Sequence, residues 1–288
     1  MILNILQSAA LEIGVTAPTS GVNSSDLQAK QLLALLTREG KEVRNSVYWP
    51  QLTKEWTFAL VDAQASYALP GDFQRFDFRT MWNRGNHWEL TGPLSPQEWQ
   101  WRKSGIVSSG PRQRFRIKGC ADNEFFIDPT PGSSDASLLM VYEYQSSNWL
   151  RPKTWTTATS FAASSYCFYN GNNYFTASGG TTGATAPTHT SGTVSDGGVS
   201  WAYYADAYET PTADTDVGLI SEDILLMGLK WRFMQAKGLE YQDIKRQYDE
   251  RVRVESTALT GARTLNLSGP ASTFLISPFN IPDTGYGT

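Results

Sequence analysis

Helix-patterned segments stand in pairs at the two ends of this 288-residue chain, and the residues between them alternate as strands do. A helical core built from such a chain draws its halves from opposite termini, with a β-rich middle looped out between them. At the N-terminus, Ile2, Ile5, Leu6, Ala9, Ala10 and Ile13 form one amphipathic stripe, and Gly14 is a natural helix stop. Ser25 and Gln28 read as a capping box opening a second helix to about Arg44. Its apolar residues are Leu32, Leu33, Leu35, Leu36 and Val43, a face broad enough for more than one neighbour. Helical periodicity resumes at Ser221, a candidate N-cap followed by Glu222 and Asp223, with Leu225, Leu226, Leu229 and Phe233 as the stripe. Gly238 breaks that run. Tyr241, Ile244, Tyr248 and Val252 mark a last helix, with Asp249 and Arg253 as an i,i+4 pair.

In the middle, strands are expected at residues 56–60, 66–69, 73–81, 87–90, 114–118, 124–127 and 138–144. Ser95 followed by Pro96 opens a short helix among them. From about Trp149 to Ala207 the composition shifts to Ser, Thr, Gly, Asn and aromatics, which reads as an inserted β module. Its strands are 166–169, 173–176 and 199–203, with turns at Asn170-Gly171-Asn172 and Asp196-Gly197-Gly198. The fold class is α+β. The expected organisation is a helical bundle from 1–46 and 215–258, a β-rich domain at 47–148, the inserted module at 149–207, and an extended tail at 259–288 rich in Gly and Pro.

Bulk properties exclude several functions. The net charge is −4, and no block of five or six like charges occurs, so tight sequence-specific DNA binding is not expected. Cys120 and Cys167 have no CxxC spacing and are too few for a disulfide framework or a zinc site. The opening residues lack the basic region and cleavage site of a signal peptide, and no run of about 18 apolar residues spans a membrane. The two histidines, His87 and His189, sit in no nucleophile elbow, and no phosphate-binding glycine loop precedes a helix. Asp214 and Asp216, with Asp206 and Glu209 nearby, lack the spacing of a calcium loop. No enzyme activity, cofactor or metal is expected. Trp155, Tyr169, Tyr174, Trp201 and Tyr203 are candidates for stacking on sugars or contacting a fibre, set against the simpler reading that they are the core of a module with few aliphatics.

The segment Tyr67-Ala68-Leu69-Pro70-Gly71-Asp72-Phe73 carries a resemblance. It is preceded by Trp49-Pro50-Gln51-Leu52 and followed by Leu90-Thr91-Gly92-Pro93-Leu94-Ser95, Ile127-Asp128-Pro129-Thr130-Pro131 and Val141-Tyr142-Glu143-Tyr144. In that order, between terminal helices, these motifs make the chain similar to the head-to-tail adaptors of short-tailed bacteriophages, also called connectors or tail tubular protein A. The likeness covers roughly 1–148 and 208–256, and the aromatic module resembles those of phage tail and fibre proteins. The resemblance implies a virion protein of the head-tail junction, assembled in the host cytoplasm as a twelve-fold homo-oligomeric ring. Its partners would be the portal protein, the tail nozzle protein and a tail fibre, with DNA passing through the channel without specific binding. In the tail, Phe274, Leu275, Ile276, Phe279 and Ile281 are expected to dock on the portal or on a neighbouring subunit. The alternative is a glycan-binding or fibre-attaching tail component acting through the module; a tail-associated hydrolase is the least supported reading.

Overall fold

The structure, a computed structural model, describes residues 1–77, 79–104, 113–119 and 124–259, and the structural statements below concern those residues. The fold is α+β, with five helices and sixteen strands arranged in five sheets. The helices are α1 (Ile2–Ile13), α2 (Leu27–Ser46), α3 (Pro96–Ser104), α4 (Glu222–Ala236) and α5 (Gln242–Leu259). The chain forms two compact units. The first contains Met1–Thr53, Gly71–Gln74 and the residues from Gln145 to the end of α5; the second contains Lys54–Pro70 and Arg75–Tyr144.

The first unit has a core drawn from both ends of the chain. Ile2, Leu6, Leu32, Leu36, Trp49, Trp149, Leu225 and Leu229 belong to one buried cluster. Each large side chain so buried stabilises the fold by about 1.5–3 kcal/mol. Helix α1 lays its expected stripe into this core and stops at Gly14, whose φ of 79° is the left-handed conformation a glycine adopts at no steric cost. Helix α4 is central: it touches α1, α2 and α5, and it buries Ile224, Leu225, Leu229, Trp231 and Phe233 on nearly all of its faces.

Helix ends depart from expectation in instructive ways. The cap of α2 is Asp26, whose carboxylate accepts from the backbone N–H of Gln28 (3.3 Å) and Ala29 (3.2 Å), so the box of Ser25 and Gln28 does not form. An ionised carboxylate at the cap satisfies two orphan donors where a hydroxyl would satisfy one. Ser221 makes no capping bond from its side chain; instead Glu222 accepts from the α-amino group of Met1 at 2.6 Å. In α5, Asp249 accepts from Lys245 (2.6 Å) and Arg253 donates to Glu250 (2.6 Å), in place of the expected Asp249–Arg253 pair.

A four-stranded sheet in the same unit orders Ser165–Tyr169, Asn172–Thr176, Val199–Tyr204 and Thr193–Asp196 side by side, all antiparallel. The first turn uses Asn170 (φ 46°) and Gly171 (φ 85°), the two positive φ angles that a type I′ hairpin demands.

The second unit is built on aromatic rings. The larger sheet, most of whose residues belong to this unit, runs Thr53–Ala59, Leu139–Ser146, Trp82–Asn83, Trp88–Glu89, with Phe73–Phe76 also paired to the long strand. A second sheet orders Ser66–Ala68, Glu124–Asp128 and Arg114–Lys118. Phe125 stacks on Phe115 (4.8 Å, 13°) and on Tyr142 (5.6 Å, 15°). The strand expected over 73–81 ends at Phe76, while Phe78 lies outside the described residues. The Thr80 hydroxyl donates to the Asp77 carbonyl (2.7 Å) and accepts from the Glu143 N–H (3.0 Å), replacing ladder bonds with side-chain ones. Ser95 caps α3 as expected, and with Glu98 it makes the reciprocal capping box: the Glu98 N–H donates to the Ser95 hydroxyl (3.2 Å), and the Ser95 N–H to the Glu98 carboxylate (3.1 Å).

Candidate functional site

The five aromatic candidates divide by burial. Tyr174 and Trp201 are fully buried, and with Phe161, Cys167 and Val199 they form the core of the four-stranded sheet. Phe161 meets Trp201 edge-on at 5.0 Å and 89°, and the Tyr174 hydroxyl donates to the His189 carbonyl (3.1 Å). Rings with no accessible surface have no face to offer a sugar, so the expectation of ligand contact is corrected at Tyr174 and Trp201 in favour of core packing. Trp155, Tyr169 and Tyr203 are half-buried around that core. The Trp155 indole N–H donates to Asp196 (2.9 Å), whose other oxygen accepts from the Gly183 N–H (2.9 Å). Cys167 is a buried thiol whose pKa is pushed up to about 12, chiefly by burial, so it is unreactive. Cys120 and the tail candidates Phe274, Leu275, Ile276, Phe279 and Ile281 lie outside the described residues.

Two loops fasten this sheet to the helices. Tyr166 touches the rings of Tyr204 (5.0 Å) and Tyr208 (5.2 Å), and Tyr208 is buried in the helical core. The Tyr208 hydroxyl donates to Asp216 (2.9 Å), which also accepts from the N–H groups of Thr212 and Ala213. Burial raises both the Tyr208 hydroxyl and the Asp216 carboxyl above their ordinary values. Asp214 accepts from the Ser20 hydroxyl (2.7 Å) and from the N–H groups of Gly21 (2.9 Å) and Val22 (2.8 Å). Asp214 and Asp216 therefore tie loops together.

The Pro70-Gly71-Asp72 turn has a comparable task. A Cβ on Gly71 would stand 2.8 Å from the Ala205 carbonyl, and the buried Asp72 carboxylate accepts from the Ser146 hydroxyl (2.6 Å) and the Asn148 amide (3.3 Å). Only glycine fits so close an approach of two backbones.

The buried charges of the helical unit were missed in the sequence. Glu39 of α2 is fully buried, and the Arg232 guanidinium of α4 donates to it through Nε and to Glu42 through Nη2 (2.8 Å). Burial raises the Glu39 carboxyl, against the opposing pull of Tyr248 from α5 and of Arg232. Gly228 makes room, since a Cβ there would lie 2.2 Å from the Glu39 carboxyl carbon. Likewise, Gly40 lets α2 lie on the Trp149 ring, where a Cβ would stand at 2.2 Å. The signal was available: Leu32, Leu36, Glu39 and Val43 follow helical spacing, so Glu39 stands inside an apolar stripe. A carboxylate there needs a partner on a facing helix.

No group of three or more His, Cys, Asp or Glu able to hold a metal occurs among the described residues, and none of their helices is long and apolar enough to cross a membrane. The polar groups of the first unit hold loops and helices in register. A family profile described as SU10 adaptor protein matches residues 2–270, and the chain belongs to that family. It is a phage adaptor-type structural protein, a membership that implies a non-enzymatic role and assembly with other virion components. No curated protein matches the sequence.

Proposed function

We propose that the chain is a head-to-tail adaptor, a closed twelve-fold ring that joins the portal protein to the tail nozzle and lines the path of DNA ejection. The observation that carries this reading is the family match over 2–270, which takes in the terminal helices and the ordered motifs between them. A ring of identical subunits requires each copy to present two different complementary faces, and a rigid body is the best support for such faces. The helical core drawn from both chain ends, with Glu39 of α2 paired to Arg232 of α4, would supply such a body.

In this reading the bundle comprises 1–46 and 215–258, the adaptor domain 47–148, the inserted module 149–207 and the tail 259–288. The tail docks on the portal or a neighbouring subunit through Phe274, Leu275, Ile276, Phe279 and Ile281. Deleting residues 262–288 is then expected to block incorporation into particles while leaving the purified chain folded; normal incorporation would remove the tail from the account. Trp155, Tyr169 and Tyr203, which keep exposed surface, are the rings through which the module would touch a fibre or a glycan. Loss of fibre or glycan-array binding in Trp155→Ala would support that role, and the absence of any binding by the intact chain would end it.

A further inference from the structure

In a chain of net charge −4, the stretch from Trp99 to Ala121 holds Arg102, Lys103, Arg112, Arg114, Arg116 and Lys118 and no Asp or Glu. A search for contiguous charge runs overlooks it because the cations stand apart in sequence. Strand alternation gathers them: Arg114, Arg116 and Lys118 occupy alternate positions of the Arg114–Lys118 strand and so share one face, with successive cations about 6.6 Å apart along the strand. Helix α3 lies on the same face. Lys103 pairs with Asp128 (2.5 Å), and the Lys103 and Lys118 ammonium groups lie 5.4 Å and 5.9 Å from the Trp99 ring centroid.

Carboxylates are too few to neutralise this face. Asp128 is shared between Lys103 and Arg114 (3.7 Å), Glu124 stands opposite Lys118 in register, and Glu98 is engaged in the α3 cap. No carboxylate pairs with Arg102 or Arg116 among the described residues, and the buried Nε of Arg102 has no acceptor. Arg116 stands opposite Phe126 in register. Beside Arg102 the Trp101 ring is 71% exposed.

We propose that this α3 and Arg114–Lys118 face of the second unit is a docking surface for the phosphate backbone of double-stranded DNA, which it contacts without regard to sequence. Charge complementarity selects the occupant. Protein–protein interface cores keep arginine and aromatic rings but are depleted in lysine and in charge generally, whereas protein–DNA interfaces are polar and strongly positive. A face with five described cations, two of them lysines, belongs to the second kind. Three of the five are arginines, whose planar fork matches phosphate oxygens. The proposal deepens the reading of a DNA conduit and its biological meaning rests on that reading, but binding is a property of the single chain and is tested without a ring.

The test is fluorescence anisotropy of labelled duplexes of about 20 bp, in two unrelated sequences, titrated with the full chain at about 50 mM salt. Both duplexes should bind equally, and affinity should fall roughly 40- to 150-fold between about 50 and 200 mM salt, as release of three or four counterions requires. The charge reversal Arg102→Glu with Arg116→Glu should weaken binding more than tenfold. Because Arg102 is partly buried, Arg116→Gln alone, with circular dichroism matching the parent, should still weaken it severalfold. No binding at low salt, or binding unchanged in Arg116→Gln and in the double reversal, would overturn the proposal. Poly-glutamate binding as tightly as duplex would also overturn it, reassigning the face to an acidic protein segment. None of these results bears on whether the ring forms.

Discussion

The helical core and the sheet between Ser165 and Tyr204 belong to the same unit but bury different chemistry. The helical core draws Ile, Leu and Ala from both ends of the chain, with three tryptophans and one buried ion pair among them. The sheet contributes rings from a short stretch: Tyr174 and Trp201 at the centre, with Trp155, Tyr169 and Tyr203 around it. A sheet of four short strands has little volume to enclose, and aromatic rings bury the most surface per residue. The helical core, closed by contacts between residues some 200 positions apart, is expected to unfold as one cooperative unit. The sheet, closed by hairpins, is expected to open locally.

Substitutions at matched depths probe that contrast. Trp149→Ala should be the most damaging, costing about 4–5 kcal/mol, because it leaves a ring-sized void beside Gly40 and removes the donor of the indole bond to the Glu209 carbonyl (2.7 Å). Chemical denaturation should show the loss across the whole unit. Arg232→Ala should cost about 3–5 kcal/mol by leaving the Glu39 carboxylate buried and unpaired. Adding Glu39→Leu to Arg232→Met should recover most of that loss, and a pair no better than Arg232→Met would show that the ion pair does not act as a unit. Trp201→Ala should cost about 3 kcal/mol, with increased hydrogen exchange confined to 165–204. Increased exchange spreading into α1 and α4 would contradict the independence of the two cores.

Weaker effects sharpen the picture. Burial holds the Glu39 carboxyl above its ordinary value in the folded chain, so its contribution is complete below about pH 4.3 and declines as pH rises through the folded value. Glu39→Gln lacks this titration, and the stability of the variant relative to the parent should therefore increase with pH over that window; a difference independent of pH would mean that Glu39 titrates normally. At the small end, Asp26→Ala should cost about 1 kcal/mol, seen as a modest drop in Tm.

What the sequence disclosed follows from the range of the interactions involved. Periodicity gave α1 almost to the residue and located α5 by its stripe from Tyr241 to Val252, and the hairpin at Asn170-Gly171 declared itself, because all three depend on neighbours within a few positions. Charge partners were harder. Asp249 had both Lys245 and Arg253 within reach, and spacing alone did not decide between them. Glu222 meets an amino group 221 positions away, and Arg232 reaches Glu39 across 193, so neither pairing had a local signal. The five aromatic candidates lie in and around one cluster, but their division into core and rim depends on which of them the loops and neighbouring strands cover, which no local pattern fixes. The cationic face escaped notice for the opposite reason: its residues are close in sequence, yet only strand alternation and the packing of α3 bring them together.

The most direct test of the central claim is electron-microscopic class averaging of the purified chain, alone and mixed with the portal protein of its own phage. Closed twelve-fold rings with an axial channel, formed alone or on the portal, are expected. Monomers that ignore the portal under both conditions would contradict that claim.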